Sequence, residues 1–427
     1  MGDIGRDRFG NPHAPGFPYA RGAIVTSTQD DLRKLRRAWA LIEARVRKDG
    51  PDAVFNFTGL ERSLTSAPSE LAVLDDELAP ALYGDRVRAL ALEHLGGRPE
   101  RHDVMLFNRM TAATLATHLV LVRPGDTVIG VSPSYSHPTV VRSAALAGAR
   151  FVDTVGADAF AAALDHEERV GLVVLTRLAV SYDALPADAL ARVVALARAR
   201  RVPVYVDDAG GARVGPAVLG QPRMLELGVD VGATGLDKYG TVGPRLGLLA
   251  GETSLVAQIR ARAFELGLEA RPMLYPAVLR SLEQYAPERV RALVATTMTV
   301  AEALGARLGN RVHRTPVTAQ LRGEDILELA AERAGVTERT LVPIEATAAL
   351  AMILLEDHGV LTVHFAGMPP GTSAMLFKFV PPETLARFGG AEALARAVDD
   401  GLDRLSSLIG SPDAVRAVLY GERETLR

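Results

Sequence analysis

The chain has 427 residues, with 48 Lys and Arg against 51 Asp and Glu, a formal charge of −3 and no cysteine. That length suits one large domain and a smaller one. The charge balance gives no nucleic-acid footprint, and the missing cysteines exclude disulfides, thiolate metal sites and a cysteine nucleophile.

No apolar run reaches membrane-spanning length. The opening MGDIGRDRFGNPHAPGFPYARG is polar, with Gly and Pro, and lacks the apolar core of a signal peptide. A cytoplasmic location is therefore expected, with no membrane and no metal. Residues 1 to 28 read as an irregular arm. Asp30 to Arg47 reads as a helix with Leu32, Leu35, Trp39 and Ile42 at helical spacing, closed by Gly50-Pro51. The stretch NFTGLERSL, 56–64, is a polar loop. Leu71 to Gly96 has helical periodicity, with interruptions expected near Pro80 and Gly84.

From Val104 onward strands and helices alternate. Strands are expected at 104–107, 127–131, 151–155, 170–175, 202–206 and 246–250. Helices are expected from about 109 to 122, and at 139–147, 157–164, 190–200 and 256–267. The strands are continuous apolar runs, as required of strands covered on both faces, so the fold class is α/β with a mainly parallel, doubly wound sheet. Ligands of such sheets lie beyond the carboxyl ends of the strands. Asn108, Ser132, Thr176, Asp207 and the loop holding Lys238 all fall there. Beyond Ser254 the pattern changes. Tyr275 to Leu308 is helical with a break at Pro287, strands are expected at 312–321, 361–366 and 377–380, and Ala391 to Ile409 is an amphipathic helix. The expected division is an arm and helix over 1–50, a large domain over 51–284 and a small α+β domain over 285–427.

The chemistry centres on DVGATGLDKYGTVGPRLGLLAG, 230–251. Lysine is scarce in this arginine-rich chain, and only lysine can offer an amine to an aldehyde, because a guanidinium stays protonated. A strand ending in Asp207-x-Ala209, followed by Lys238 in a small-residue loop, is the pattern that pyridoxal 5'-phosphate (PLP) needs. The lysine forms the Schiff base, Asp207 keeps the pyridine nitrogen protonated, and Ala209 packs flat on the ring. Strand alternation turns Asp208 away. His137 is the candidate for stacking on the ring, with Tyr135 as the competing aromatic. Arg109, Met110 and Thr111 open a helix whose first amides suit a phosphate, with Thr234 as a further donor. Asp237 either hydrogen-bonds near the lysine or caps its loop. Arg271, Arg213 and Lys378 are candidates for a substrate carboxylate, Arg245 is a candidate for a phosphate or a carboxylate, and His364 is placed at a strand end, either lining the cleft or serving as a structural histidine.

The order of phosphate turn, His137, Asp207-x-Ala209 and Lys238 resembles fold-type I PLP enzymes, the aspartate-aminotransferase superfamily. Asp237, Lys238, Gly243, Pro244, Gly247 and Gly251 are similar to the pattern of the selenocysteine synthase group, which includes D-glucosaminate-6-phosphate ammonia-lyase. The resemblance covers most of 55–280 and implies a large PLP-binding domain, a free amino acid as substrate and a homodimer or larger. It inclines the reaction to a lyase working by β-elimination or other Cα–Cβ chemistry. Transamination is the alternative, and a PLP-fold binding or regulatory protein without turnover is the reading from another class. The phosphate turn departs from the group in reading Asn-Arg-Met-Thr, and no basic tRNA-binding domain is present, which weighs against a tRNA substrate.

Overall fold

The computed structural model describes residues 5–64, 66–366 and 368–421. It forms two compact units, Glu61–Arg291 and the pair Met1–Leu60 with Ala292–Arg427.

The first unit is built on seven strands. These are β1 (His102–Phe107), β2 (Thr127–Ser132), β3 (Arg150–Val155), β4 (Val170–Leu175), β5 (Val204–Asp207), β6 (Val231–Gly235) and β7 (Gly247–Glu252). Their order across the sheet is β1-β7-β6-β5-β4-β2-β3. Only β7 runs antiparallel to its neighbours, so six strands point their carboxyl ends to one edge. Both faces are covered. Val173, Val206 and Leu248 face one core with Phe160 and Leu190, and Leu172, Tyr205 and Ala233 face the other with Ala113 and Ile259. Burial on both faces explains why these strands read as unbroken apolar runs.

Sequence pattern misses three features of this unit. The interruption expected near Gly84 does not occur. The helix Leu78–Leu95 is continuous, with Pro80 in its first turn, where a missing N–H costs nothing. The strand Val231–Gly235 is read from sequence as part of the lysine loop because its glycines mask it, yet all five residues are buried. The short helix Gly211–Val218 also escapes notice because it carries an internal proline.

In the second unit the helix Pro343–His358 is buried from Pro343 through Leu355. Buried on every side, it has no stripe for periodicity to find. Around it pack the helices Thr28–Asp49, Gly323–Ala334, Ala391–Leu408 and Pro412–Tyr420. Helix Thr28–Asp49 buries Ala38 and lays Leu35 and Ile42 on this core, while Leu32 and Trp39 stay exposed. Glu345 accepts hydrogen bonds from the Ile24 and Val25 amides at 2.6 and 2.8 Å. The arm and first helix thus join the C-terminal part, and the boundaries at 51 and 285 move to 61 and 292.

The strand expected over 312–321 is a hairpin. Val312–Thr315 and Thr318–Leu321 pair antiparallel around Pro316-Val317, and Met375–Lys378 adds a third strand. The strand expected over 361–366 is replaced by a two-residue strand, Val360–Leu361, parallel to Phe55–Asn56, and a short helix, Val363–Ala366.

Candidate active site

Asp207, the last residue of β5, and Asp208 just beyond it point opposite ways. Asp208 is fully buried, and Arg177 grips both of its oxygens, Nε to Oδ1 at 2.7 Å and Nη2 to Oδ2 at 2.6 Å. Asp207 lies on the other face, in register with Ala233 of β6. Burial, and then the neighbouring Asp208, push its pKa up to about 6, while Lys238 works against them. A carboxylate in that state gains from a cationic partner.

β6 ends at Gly235, and the chain turns through Leu236 and Asp237 to Lys238. Thr241 ties the turn, its hydroxyl 2.8 Å from Leu236 O and 2.7 Å from Lys238 O. Tyr239 takes φ of 30°, a strained value for a residue with a side chain, and its hydroxyl meets that of Tyr182 at 2.5 Å. The Gly243 amide donates to Glu61 O at 3.1 Å, so the strip beginning at Glu61 is stitched to the far side of the turn. The next residue, Arg62, donates from Nε to Asp237 Oδ2 at 2.6 Å. Asp237 Oδ1 is 4.0 Å from Nζ of Lys238, whose side chain is 21% exposed. Burial lowers the pKa of that amine, Asp237 opposes the effect, and Arg62 and Arg245 add to it. Burial works to raise the pKa of Asp237, but Lys238, Arg62 and Arg245 hold it below the usual value.

His137 caps the helix Pro138–Leu146, its Nδ1 accepting from the Thr139 amide at 3.1 Å. Ser136 holds the preceding turn by donating its amide and hydroxyl to Asp153 at 3.0 and 2.7 Å. Burial, with Lys238 and Arg142 nearby, lowers the His137 pKa to about 4, so the ring is neutral at neutral pH. Tyr135 is half-buried and couples to Tyr182.

Arg109 is the N-cap of helix Met110–Leu121, and no side chain caps its first turn. The Met110 and Thr111 amides remain free for an anion. Gly247 permits the close approach of this turn to β7, since a Cβ there would lie 2.8 Å from the Met110 backbone. Burial and the proximity of Arg62 and Arg109 bring the Arg245 pKa down to about 10. Among the described residues, Asp237 is the acid whose charge acts on both Arg109 and Arg245.

The structure therefore brings together Lys238, Asp207, His137, Asp237, Arg109 and Arg245. Ala209 is half-buried just past Asp207. Thr234 is placed differently from the expectation. It follows Ala233, so it faces away from Asp207, with its hydroxyl 3.4 Å from Ala209 O and 3.5 Å from Arg213 Nη1. Arg271 is 68% exposed and ion-paired with Asp76. Arg213 is buried behind β6. His364 and Lys378 belong to the other unit, where both are buried. His364 stands in a helix, not at a strand end, and its Nε2 is 3.1 Å from Ala374 O. Sequence reasoning did not single out Arg62 or Arg177, because each acts through a partner distant in the chain.

An amine, a buried carboxylate, a neutral imidazole and unpaired helix amides match the aldehyde, ring nitrogen, ring face and phosphate of PLP. The Thr176 hydroxyl, buried at the end of β4 without a hydrogen-bond partner, is a further polar atom awaiting a ligand. Fold and site together define a fold-type I PLP-dependent protein.

No protein-family model matches the chain. It is 30% identical over 400 residues to a UPF0425 pyridoxal phosphate-dependent protein of Methanothermobacter thermautotrophicus, covering 92% of this chain and 98% of the relative. A second such protein, of Methanosphaera stadtmanae, is 27% identical over 397 residues, covering 93% and 100%. The chain belongs to the UPF0425 family of pyridoxal phosphate-dependent proteins. Among solved structures it is similar to a chain of the SepCysS–SepCysE N-terminal domain complex, with a TM-score of 0.57, 13% identity and coverage of 83% of this chain and 95% of that one. It is also similar to alanine–glyoxylate aminotransferase of Nostoc, with a TM-score of 0.52, 17% identity and coverage of 81% and 95%. These two likenesses show the fold. Among the described residues no helix is long and apolar enough to cross a membrane, and no cluster of metal-ligating side chains occurs.

Proposed function

We propose that this protein is a PLP-dependent enzyme acting on a free amino acid, as a lyase working by β-elimination or other Cα–Cβ chemistry. The observation that carries the reading is the convergence of Lys238, Asp207 and His137 at the carboxyl edge of the sheet, close enough for Lys238 to act electrostatically on both partners. When bound, PLP supplies an aldehyde that captures an amino group and a ring that accepts electron density from the adjacent carbon.

The chain's own residues do the rest. Lys238 provides the anchoring amine. Its lowered pKa would also suit it to take the proton from the substrate's Cα. Asp207 keeps the ring nitrogen protonated, and ion pairing there relieves a carboxylate that burial disfavours. Neutral His137 would hold the face of the ring without competing for that charge. The amides of Met110 and Thr111 receive the phosphate with Arg109, and Arg245 takes the substrate carboxylate. Asp237, clamped by Arg62, sets the direction of the lysine. A homodimer completes the reading.

Aminotransferase activity is the second reading, favoured by the likeness to alanine–glyoxylate aminotransferase. Both are tested by screening amino acids for a shift in the visible absorbance of the bound cofactor. The responders are then assayed for products. A lyase releases ammonia and a 2-oxo acid with no acceptor present, whereas turnover that needs an added 2-oxo acid replaces that reading with transamination. Absence of any visible cofactor band in the purified, PLP-treated protein overturns both.

A further inference from the structure

Arg213 lies on the helix Gly211–Val218 with no exposed surface. Its Nη1 donates to Gly235 O at 2.7 Å, holding the end of β6 just before the lysine turn. Its Nε and Nη2 are buried and have no hydrogen-bond partner. These two nitrogens form one edge of the guanidinium, the edge that receives an anion side-on. Arg177 shows what that edge takes, since its own Nε and Nη2 hold the two oxygens of Asp208.

Among the described residues no such carboxylate serves Arg213. Asp208 and Asp237 both lie in its field. The first is gripped by Arg177 and the second is held by Arg62. The remaining ionisable neighbours are neutral at neutral pH. Burial drives the His94 pKa well down, and Arg213 adds to the effect. Burial raises the pKa of Tyr285. The rings of His94 and Tyr285 meet edge to face at 4.5 Å, and His94 Nε2 is also buried without a partner. Water would satisfy the N–H groups but not the charge, and an uncompensated buried cation is costly. The position lies behind β6, on the face opposite Asp207, so it is separate from the cofactor site.

We propose that the Nε–Nη2 edge of Arg213, with His94 and Tyr285, is an internal binding site for a small monovalent anion, chloride being the abundant one. The bound anion is the counter-charge that lets Arg213 hold the Gly235 carbonyl, and so steadies the base of the Lys238 turn. This does not depend on the reaction assigned above.

The test uses PLP-treated protein exchanged into sodium gluconate. Crystals soaked in bromide are measured at the bromine edge, and Tm is followed as chloride replaces gluconate at constant ionic strength. Expected are an anomalous peak beside Arg213 Nε and a saturable rise in Tm. Arg213→Met removes both. Tyr285→Phe, a milder change, raises the half-saturating chloride concentration by about tenfold, the loss expected for one hydrogen bond to a charged group. A water with no anomalous signal at the Arg213 edge overturns the proposal. A chloride response that is unsaturable and identical in wild type and Tyr285→Phe overturns it as well.

Discussion

Arg177 and Asp208 form a closed pair at the end of β5, with bonds of 2.7 and 2.6 Å and no solvent contact. Because Asp208 is consumed there, the adjacent Asp207 is the carboxylate left to face a ligand. Breaking a buried pair on one side strands the other charge, at a cost of about 3–5 kcal/mol. Arg177→Met is therefore expected to lower the urea midpoint steeply, with visible loss of folded protein near physiological temperature. A midpoint within error of wild type would remove Arg177 from the structural account.

Lys238→Ala is expected to abolish the visible absorbance of bound cofactor while leaving far-ultraviolet circular dichroism unchanged. An unaltered visible spectrum in the variant excludes Lys238 as the anchor.

Asp207 makes a pH prediction for the cofactor-free protein. Its folded pKa of about 6 lies above the ordinary value of 3.8. Stability from this group is fully present below pH 3.8 and is lost as pH rises through 6. Asp207→Asn removes that loss, worth about 2–3 kcal/mol. The variant's Tm should gain on wild type between pH 4 and pH 7 in the absence of PLP, although the variant loses turnover. A Tm difference that stays constant with pH contradicts this.

His118 works with the opposite sign. It is fully buried in helix Met110–Leu121, its Nδ1 is 2.7 Å from Thr114 O, and burial lowers its pKa to about 4. A depressed histidine contributes stability that is present above its ordinary value of 6.5 and is lost as pH falls through 4. Tm should fall over that interval, and His118→Gln should flatten the slope, an effect on the order of a few kcal/mol.

Gly247→Ala places a methyl group against the Met110 backbone. The helix turn that offers its amides to phosphate must then move away from β7. Cofactor affinity should fall by about tenfold or more, with ~1–3 kcal/mol lost in stability. Absorbance titration with PLP checks the first and denaturant unfolding the second. Unchanged affinity would place the phosphate elsewhere.

Much of this molecule was legible from local chemistry. Apolar runs covered on both faces reveal themselves as strands, and a scarce lysine in a small-residue loop after Asp-x-Ala points to the cofactor, because each signal is carried by neighbouring residues. Helix Pro343–His358 was not legible, since burial on every side erases the periodicity that marks a helix.

Sequence alone determined the class of fold and the cofactor. Tertiary structure decided that Asp208 is spent on Arg177, that Thr234 turns away from Asp207, that Arg62 reaches Asp237 and that the N-terminal helix joins the C-terminal unit. The reason is physical. Residue type and spacing state which groups a side chain can offer, whereas the pairing of charges distant in the chain is set when strands and helices close over them and exclude water.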